Sequence, residues 1–178
     1  MSFRSAVAGA LAQKGLDDIS GECRAFRLEG PGVLAWLATK SIECPEAVFA
    51  VSYSGERHET VVARVARDAV ILQGGVQSHE IVRLENDLRA RVAGVFHGEV
   101  QASTFRLSGP KAATVWSQTC GVALSERPSL EVVYTRVAGV SVAVIPEQRE
   151  ADRSYRIWVD YCYAPDLWNT FVEILSPG

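Results

Sequence analysis

The chain writes one phrase twice. Phe26-Arg27-Leu28-Glu29-Gly30-Pro31 returns seventy-nine positions on as Phe105-Arg106-Leu107-Ser108-Gly109-Pro110, and a tryptophan follows each copy, Trp36 and Trp116. Internal repetition constrains a fold strongly, because each copy must be one supersecondary unit whose apolar face is buried by its neighbours. In both copies an alternating Phe-x-Leu run reads as a strand with one apolar face. Gly-Pro then ends the strand, since proline cannot donate to a sheet ladder. Proline suits the first turn of a helix, where its missing N–H costs nothing. The phrase therefore predicts strand, turn and helix in each half, with helices over 31–39 and 110–119.

The echo extends beyond the phrase. Residues 59–66 match 131–138, both rich in β-branched residues with period-two alternation, hence strands. Residues 68–73 and 139–145 follow closely enough to close hairpins, and 154–161 reads as a further strand with Tyr155, Ile157, Val159 and Tyr161 on one face. Beyond the first hairpin the correspondence stays open: 68–73 matches either 139–145 or the strand beginning at 154. The first half carries extra residues over 45–58. Each half closes on a helix. In 79–92 the stripe is Ile81, Leu84, Leu88 and Val92, and Glu85/Arg89 and Asp87/Arg91 stand at i,i+4 spacing on the solvent side. In 164–175 Pro165 lies near the start and Leu167, Trp168, Phe171, Val172 and Leu175 face inward. The expected fold is α+β: two similar β-α-β-β-(β)-α halves forming one pseudo-twofold body of mostly antiparallel sheet with helices packed on it. Residues 1–21 read as a loose N-terminal helix, 22–94 as the first half and 95–178 as the second.

Composition sets outer limits. At 48% apolar the chain can bury a sizeable core, and a net charge of −3 with no basic run argues against nucleic acid as a partner. No apolar stretch approaches the roughly 20 residues of a membrane span. The N-terminus has one arginine before a short Ala/Gly-rich stretch and lacks the apolar centre of a secretory signal, which points to the cytoplasm. Cys23, Cys44, Cys120 and Cys162 are far apart and form no Cys-x-x-Cys, the pattern of isolated thiols in a reducing compartment.

Signatures of chemistry are sparse. The chain has no G-x-G-x-x-G, no G-x-x-x-x-G-K-[ST], no G-x-S-x-G and no H-E-x-x-H. His58 falls in a turn, His79 at a helix start and His97 at a strand edge, all read as surface residues. Asp160 stands among Trp158, Tyr161 and Tyr163, where a carboxylate can hold a heterocycle by hydrogen bond and stacking. Alternation places Arg156, Trp158 and Asp160 together on what reads as the wetter face of their strand. The helix starts at Gly30 and Gly109 offer backbone N–H groups to an anion, as every helix start does. Arg27, Arg64, Arg106 and Arg136 recur at matched repeat positions. They mark either a partner surface or the polar face of two homologous strands.

The second half carries a family pattern. A strand leads through Gly109-Pro110 into a helix, Thr135-x-x-Ala138-Gly139-Val140 enters a strand, Asp152 precedes Tyr155-Arg156-Ile157-x-Val159, and Ala164-x-x-Leu167-Trp168 opens the last helix. In this order and spacing the chain resembles the gamma subunits of heterotetrameric sarcosine oxidases. These stand within the wider group around the folate-binding aminomethyltransferase of the glycine cleavage system. The resemblance implies a small non-catalytic subunit of a flavin-dependent oxidase or dehydrogenase acting on a secondary amine or N-methyl amino acid. It implies that FAD, FMN, NAD and tetrahydrofolate belong to the larger partner subunits, and that this chain holds no catalytic, cofactor-binding or metal-ligating residue. An exposed aromatic patch is then expected where the flavoprotein subunits dock, with Trp158, Tyr161, Tyr163 and Trp168 as its candidates, and the isolated chain is expected to dimerise. The alternative is a free-standing folate-binding one-carbon transferase, with Asp160 as its folate contact.

Overall fold

The computed structural model describes residues 5–7, 14–55, 59–149 and 152–176. Among the described residues four helices and ten strands alternate in an α+β arrangement, and every strand pairing is antiparallel. The strands are β1 (Leu16–Asp18), β2 (Cys23–Glu29), β3 (Val51–Ser54), β4 (Thr60–Ala66), β5 (Ala69–Gly75), β6 (Phe96–Glu99), β7 (Ala102–Ser108), β8 (Val133–Val137), β9 (Val140–Arg149) and β10 (Asp152–Asp160). The helices are α1 (Val33–Thr39), α2 (His79–Leu88), α3 (Ala112–Thr119) and α4 (Ala164–Leu175). They divide into two units: Glu22–Val100, and Gln101–Gly178 together with Met1–Gly21. The helix expected over 1–21 falls largely on residues 1–4 and 8–13, outside the described residues; Leu16–Asp18 is a strand of the second unit's sheet.

The repeated phrase does the same work in each unit. β2 and β7 end at Gly30 and Gly109, both at positive φ, and the amides of Val33 and Ala112 each bond the carbonyl of that glycine at 3.1 Å. The helices start at 33 and 112 because Pro31-Gly32 and Pro110-Lys111 form this turn rather than the first helical residues.

The first unit's sheet runs β3-β4-β5-β2-β6 and the second, read from its far edge, runs β8-β9-β10-β7-β1. Each helix pair covers one face. In the first unit Leu28, Val62, Val70 and Leu72 pack with Val33, Trp36 and Leu37 of α1 and Leu84 and Leu88 of α2. In the second, Phe105, Leu107, Val144, Tyr155 and Ile157 pack with Val115 and Trp116 of α3 and with Leu167, Trp168 and Phe171 of α4. That core is aromatic: Phe105 meets Trp168, and Trp116 meets Tyr155, edge to face at 5.1 Å each.

Three expectations are corrected. First, 59–66 corresponds to β9, not to 131–138, because both β4 and β9 lie second in their sheets. Residues 131–138 supply β8, the counterpart of β3, which lies inside the stretch read as an insertion, and the strand β5 corresponds to β10. Arg64 on β4 and Arg136 on β8 are therefore not equivalent, and Arg64 bonds the carbonyls of Pro45 and Arg67 at 3.1 and 2.8 Å. Second, Glu85 pairs with Arg24, and Asp87 with Lys40 at 2.8 Å. α2 ends at Leu88, so Arg89 and Arg91 lie beyond the helical register that i,i+4 pairing needs. Third, the face carrying Arg156 and Trp158 is not wet; they are 5% and 7% exposed.

Candidate functional site

The outer strand β6, Phe-His-Gly-Glu, is exposed along its whole length. It runs antiparallel to β2, with Phe96 opposite Glu29, Gly98 opposite Arg27 and Glu99 opposite Phe26. The Val100 amide donates to the Ala25 carbonyl at 2.9 Å, which makes Ala25 and Val100 a hydrogen-bonded pair. Such pairs alternate along an antiparallel ladder. Phe96 and Gly98 consequently turn their backbone groups toward β2, while His97 and Glu99 turn theirs outward.

On the face away from α1 and α2, Phe96, Gly98 and Val100 lie beside Arg27 and Glu29, with Ile71 of β5 opposite Arg27. The missing side chain at Gly98 opens a groove of about 380 Å³ among these residues, rimmed by His97 and Glu99. A Cβ at Gly98 meets nothing within 4 Å, and Phe96 is 70% exposed. The Arg27 guanidinium pairs with the Glu29 carboxylate. Both side chains are half in water, so the pair contributes at most about 1 kcal/mol. None of the lining residues is Ser, Thr, Cys or Lys, so His97 has no nucleophile beside it to activate. The groove offers apolar walls, an ion pair, a further carboxylate and open backbone: the means to bind.

The sequence-derived candidates separate. Tyr161 and Tyr163 are exposed, at 42% and 55%, in the turn between β10 and α4. Trp168 is buried against Phe105 in the second core, and Trp158 is also buried, so neither contributes to an exposed patch. Asp160 ends β10 at the surface, where its Oδ1 accepts the Cys162 amide at 2.8 Å. His79 opens α2, His97 lies on the outer strand, and His58 is outside the described residues.

Near Asp160 on the same strand face, the sequence hid a buried ion pair. Arg156 Nε donates to Glu147 Oε1 at 2.7 Å, with side chains 6% and 2% exposed. The only signal available was the alternation that sets Arg156 on the face opposite Tyr155 and Ile157. All four cysteines are free thiols, and burial pushes Cys44 above the ordinary thiol range against the smaller opposing pull of Arg64. Among the described residues no group of three or more His, Cys, Asp or Glu could hold a metal ion. No described helix is long and apolar enough to cross a membrane.

No family model matches this chain, and no curated protein matches it. Solved structures do. A chain of the heterotetrameric sarcosine oxidase from Corynebacterium sp. U-96, solved in complex with pyrrole 2-carboxylate, superposes with a TM-score of 0.70 at 20% identity, over 99% of this chain and 98% of the other. The glycine cleavage system aminomethyltransferase T from Bartonella henselae gives a TM-score of 0.68 at 18% identity, over 89% of this chain and 45% of that one. This chain thus spans less than half of the aminomethyltransferase and nearly all of the sarcosine oxidase chain. These are the two groups to which the motifs of the second half pointed, and what is shared with them is the fold.

Proposed function

We propose that this chain is a small, non-catalytic subunit of a cytoplasmic, heteromeric, flavin-dependent enzyme that oxidises a secondary amine or N-methyl amino acid, in the manner of a sarcosine oxidase. The observation that carries the reading is coverage. The likeness to a chain of heterotetrameric sarcosine oxidase runs end to end on both sides, 99% and 98%, so the two chains share both extent and fold. On this reading FAD, FMN, NAD and tetrahydrofolate are held by the larger subunits, and the isolated chain self-associates through its docking surface.

The test is reconstitution. Co-expression with the larger flavoprotein subunits from the same cell yields one co-eluting species whose mass includes this chain, and amine oxidation requires the flavoproteins. Separate elution of the chain and those subunits at micromolar concentration overturns the reading. A second reading, a folate-binding one-carbon transferase, draws on the overlap of 89% of this chain with the aminomethyltransferase. Titration calorimetry with a reduced folate separates the two. Heat that disappears in Asp160→Asn favours the transferase; no heat removes it.

A further inference from the structure

Building on the subunit reading above, we propose that β6 is a docking strand. An extended segment of a partner flavoprotein subunit adds to it as a sixth strand, setting a large apolar side chain, best an aromatic one, over Gly98 and a basic side chain beside Glu99.

The backbone supplies the first reason. With Phe96 and Gly98 bonded toward β2, His97 and Glu99 present two N–H donors and two carbonyl acceptors along an exposed edge. Outer strands are ordinarily blunted by lysine, proline, a bulge or a covering element. β6 is short and its one ionised carboxylate is Glu99, but it contains neither lysine nor proline and holds unbroken register with β2 over its four residues. Strand addition draws affinity from such main-chain groups and specificity from pockets that take alternate side chains.

The groove supplies the second. One face of the added strand meets the groove, which opens at the missing side chain of Gly98, between Phe96 and Val100. A glycine on a sheet edge is covered when the neighbouring strand places an aromatic ring across from it. Arg27, directly opposite Gly98 on β2, lies on the same face, where its guanidinium can lie against the face of that ring. Charge supplies the third. The groove side chains include one guanidinium and two carboxylates, and Arg27 is taken up by Glu29. The excess negative charge sits at Glu99, on the opposite strand face from Gly98, so the residue of the incoming strand next to its apolar anchor is lysine or arginine.

The test uses the full chain, alone and assembled with its flavoprotein subunits, with amide hydrogen exchange as the readout. In the assembly the His97 and Glu99 amides exchange at least about tenfold more slowly than in the isolated chain, while Phe96 and Gly98 change little. Gly98→Trp, whose Cβ meets nothing within 4 Å and whose ring occupies the groove, and Glu99→Lys each weaken assembly by about tenfold or more without lowering the thermal midpoint. Wild-type assembly in both variants, unchanged exchange at His97 and Glu99, or loss of assembly only on changing Tyr161 and Tyr163 to alanine overturns the docking strand and leaves the subunit reading standing. Alternating protection that appears in the isolated chain as its concentration rises, and that added flavoprotein subunits neither replace nor deepen, assigns the edge to a second copy alone, and the partner assignment fails. If the flavoproteins do not take up the chain at all, the subunit reading falls. A synthetic peptide, Thr-Val-Lys-Phe-Thr-Val-Thr at about 1 mM, then decides. Protection of His97 and Glu99 by the peptide keeps the docking strand, and silence across 96–100 removes it.

Discussion

The two units lay out the same strand order and finish it differently. β6 follows α2 and returns to lie beside β2; its counterpart beside β7 is β1, which comes from the opposite end of the chain. β1 is built in. Leu16 is 2% exposed and belongs to the aromatic core, the Ser20 hydroxyl donates to Asp18 Oδ1 at 2.5 Å, and the Ser20 oxygen accepts the Thr104 amide at 2.8 Å. β6 is laid on. It holds the same place in the ladder, yet none of its four residues is buried. A shared topology therefore leaves open whether an outer strand serves the core or faces outward, and side-chain burial separates the two. The cores differ in kind as well, aliphatic around Trp36 in the first unit and built on edge-to-face aromatic contacts in the second.

Substitutions at matched positions measure this asymmetry. Phe26 and Phe105 hold the same place in the repeated phrase, but Phe105 is fully buried against Trp168, whereas Phe26 is 8% exposed and stands outside the aliphatic cluster. Phe105→Ala is expected to cost about 3–5 kcal/mol in urea denaturation, and Phe26→Ala clearly less. Equal losses would show that the two cores respond alike. The next contrast is polar. Arg156 lies opposite Arg106 as Ile71 lies opposite Arg27, so the second unit has a buried ion pair where the first has an aliphatic residue. Glu147→Gln leaves a buried guanidinium without its carboxylate and is expected to cost about 3–5 kcal/mol. The double variant Arg156→Ile with Glu147→Leu, which copies the first unit's solution, should lose less than the single one. A double variant worse than Glu147→Gln would mean that the pair does more than compensate its own desolvation.

What the sequence disclosed and what it hid divide along these lines. The repeated phrase located β2, β7 and the two helices that follow them. The apolar stripe of Ile81, Leu84 and Leu88 located α2, and Pro165 with the run to Leu175 bounded α4. All of these rest on local periodicity or on proline chemistry, which a single sequence displays. The outer strands were harder. Leu-Asp-Asp and Phe-His-Gly-Glu are too short and too polar to alternate, so His97 could be placed at a strand edge but not beside β2. β3 was hidden in an apparent insertion, and the similarity of 59–66 to 131–138 drew the correspondence one strand out of step. Period-two alternation assumes one dry face. Arg156 and Trp158 break that assumption, because polarity alone cannot reveal that a strand is buried on both sides. The groove was invisible for another reason: its defining feature is an absent side chain at Gly98, brought next to Arg27 and Ile71 only by the ladder.

The two turns of the repeated phrase offer a smaller test. Gly30 has φ +118, and a Cβ there would come within 2.5 Å of the Gly94 carbonyl; Gly109 has φ +83 and open space around it. Gly109→Ala is expected to cost about 1–2 kcal/mol, the penalty of a left-handed alanine. Gly30→Ala adds the displacement of the Gly94 backbone, whose oxygen also accepts the Gly32 amide at 2.9 Å, and so costs more. Matching thermal midpoints for the two variants would mean that the first unit's turn relaxes freely, contrary to its closer packing.

The smallest expected effect bears most directly on how the two sheets are finished. Phe96 is a large aromatic residue in a strand, where truncation ordinarily destabilises, but it is 70% exposed and its removal opens no cavity. Phe96→Ala should therefore change unfolding free energy by no more than about 0.5 kcal/mol. Leu16→Ala, at the matching edge of the other sheet, removes a residue that is 2% exposed and should cost several times as much. A loss above about 1 kcal/mol at Phe96 would make β6 a structural strand like β1. A stability-neutral Phe96→Ala that still weakens assembly would place the value of that side chain outside the folded chain, in what covers the edge.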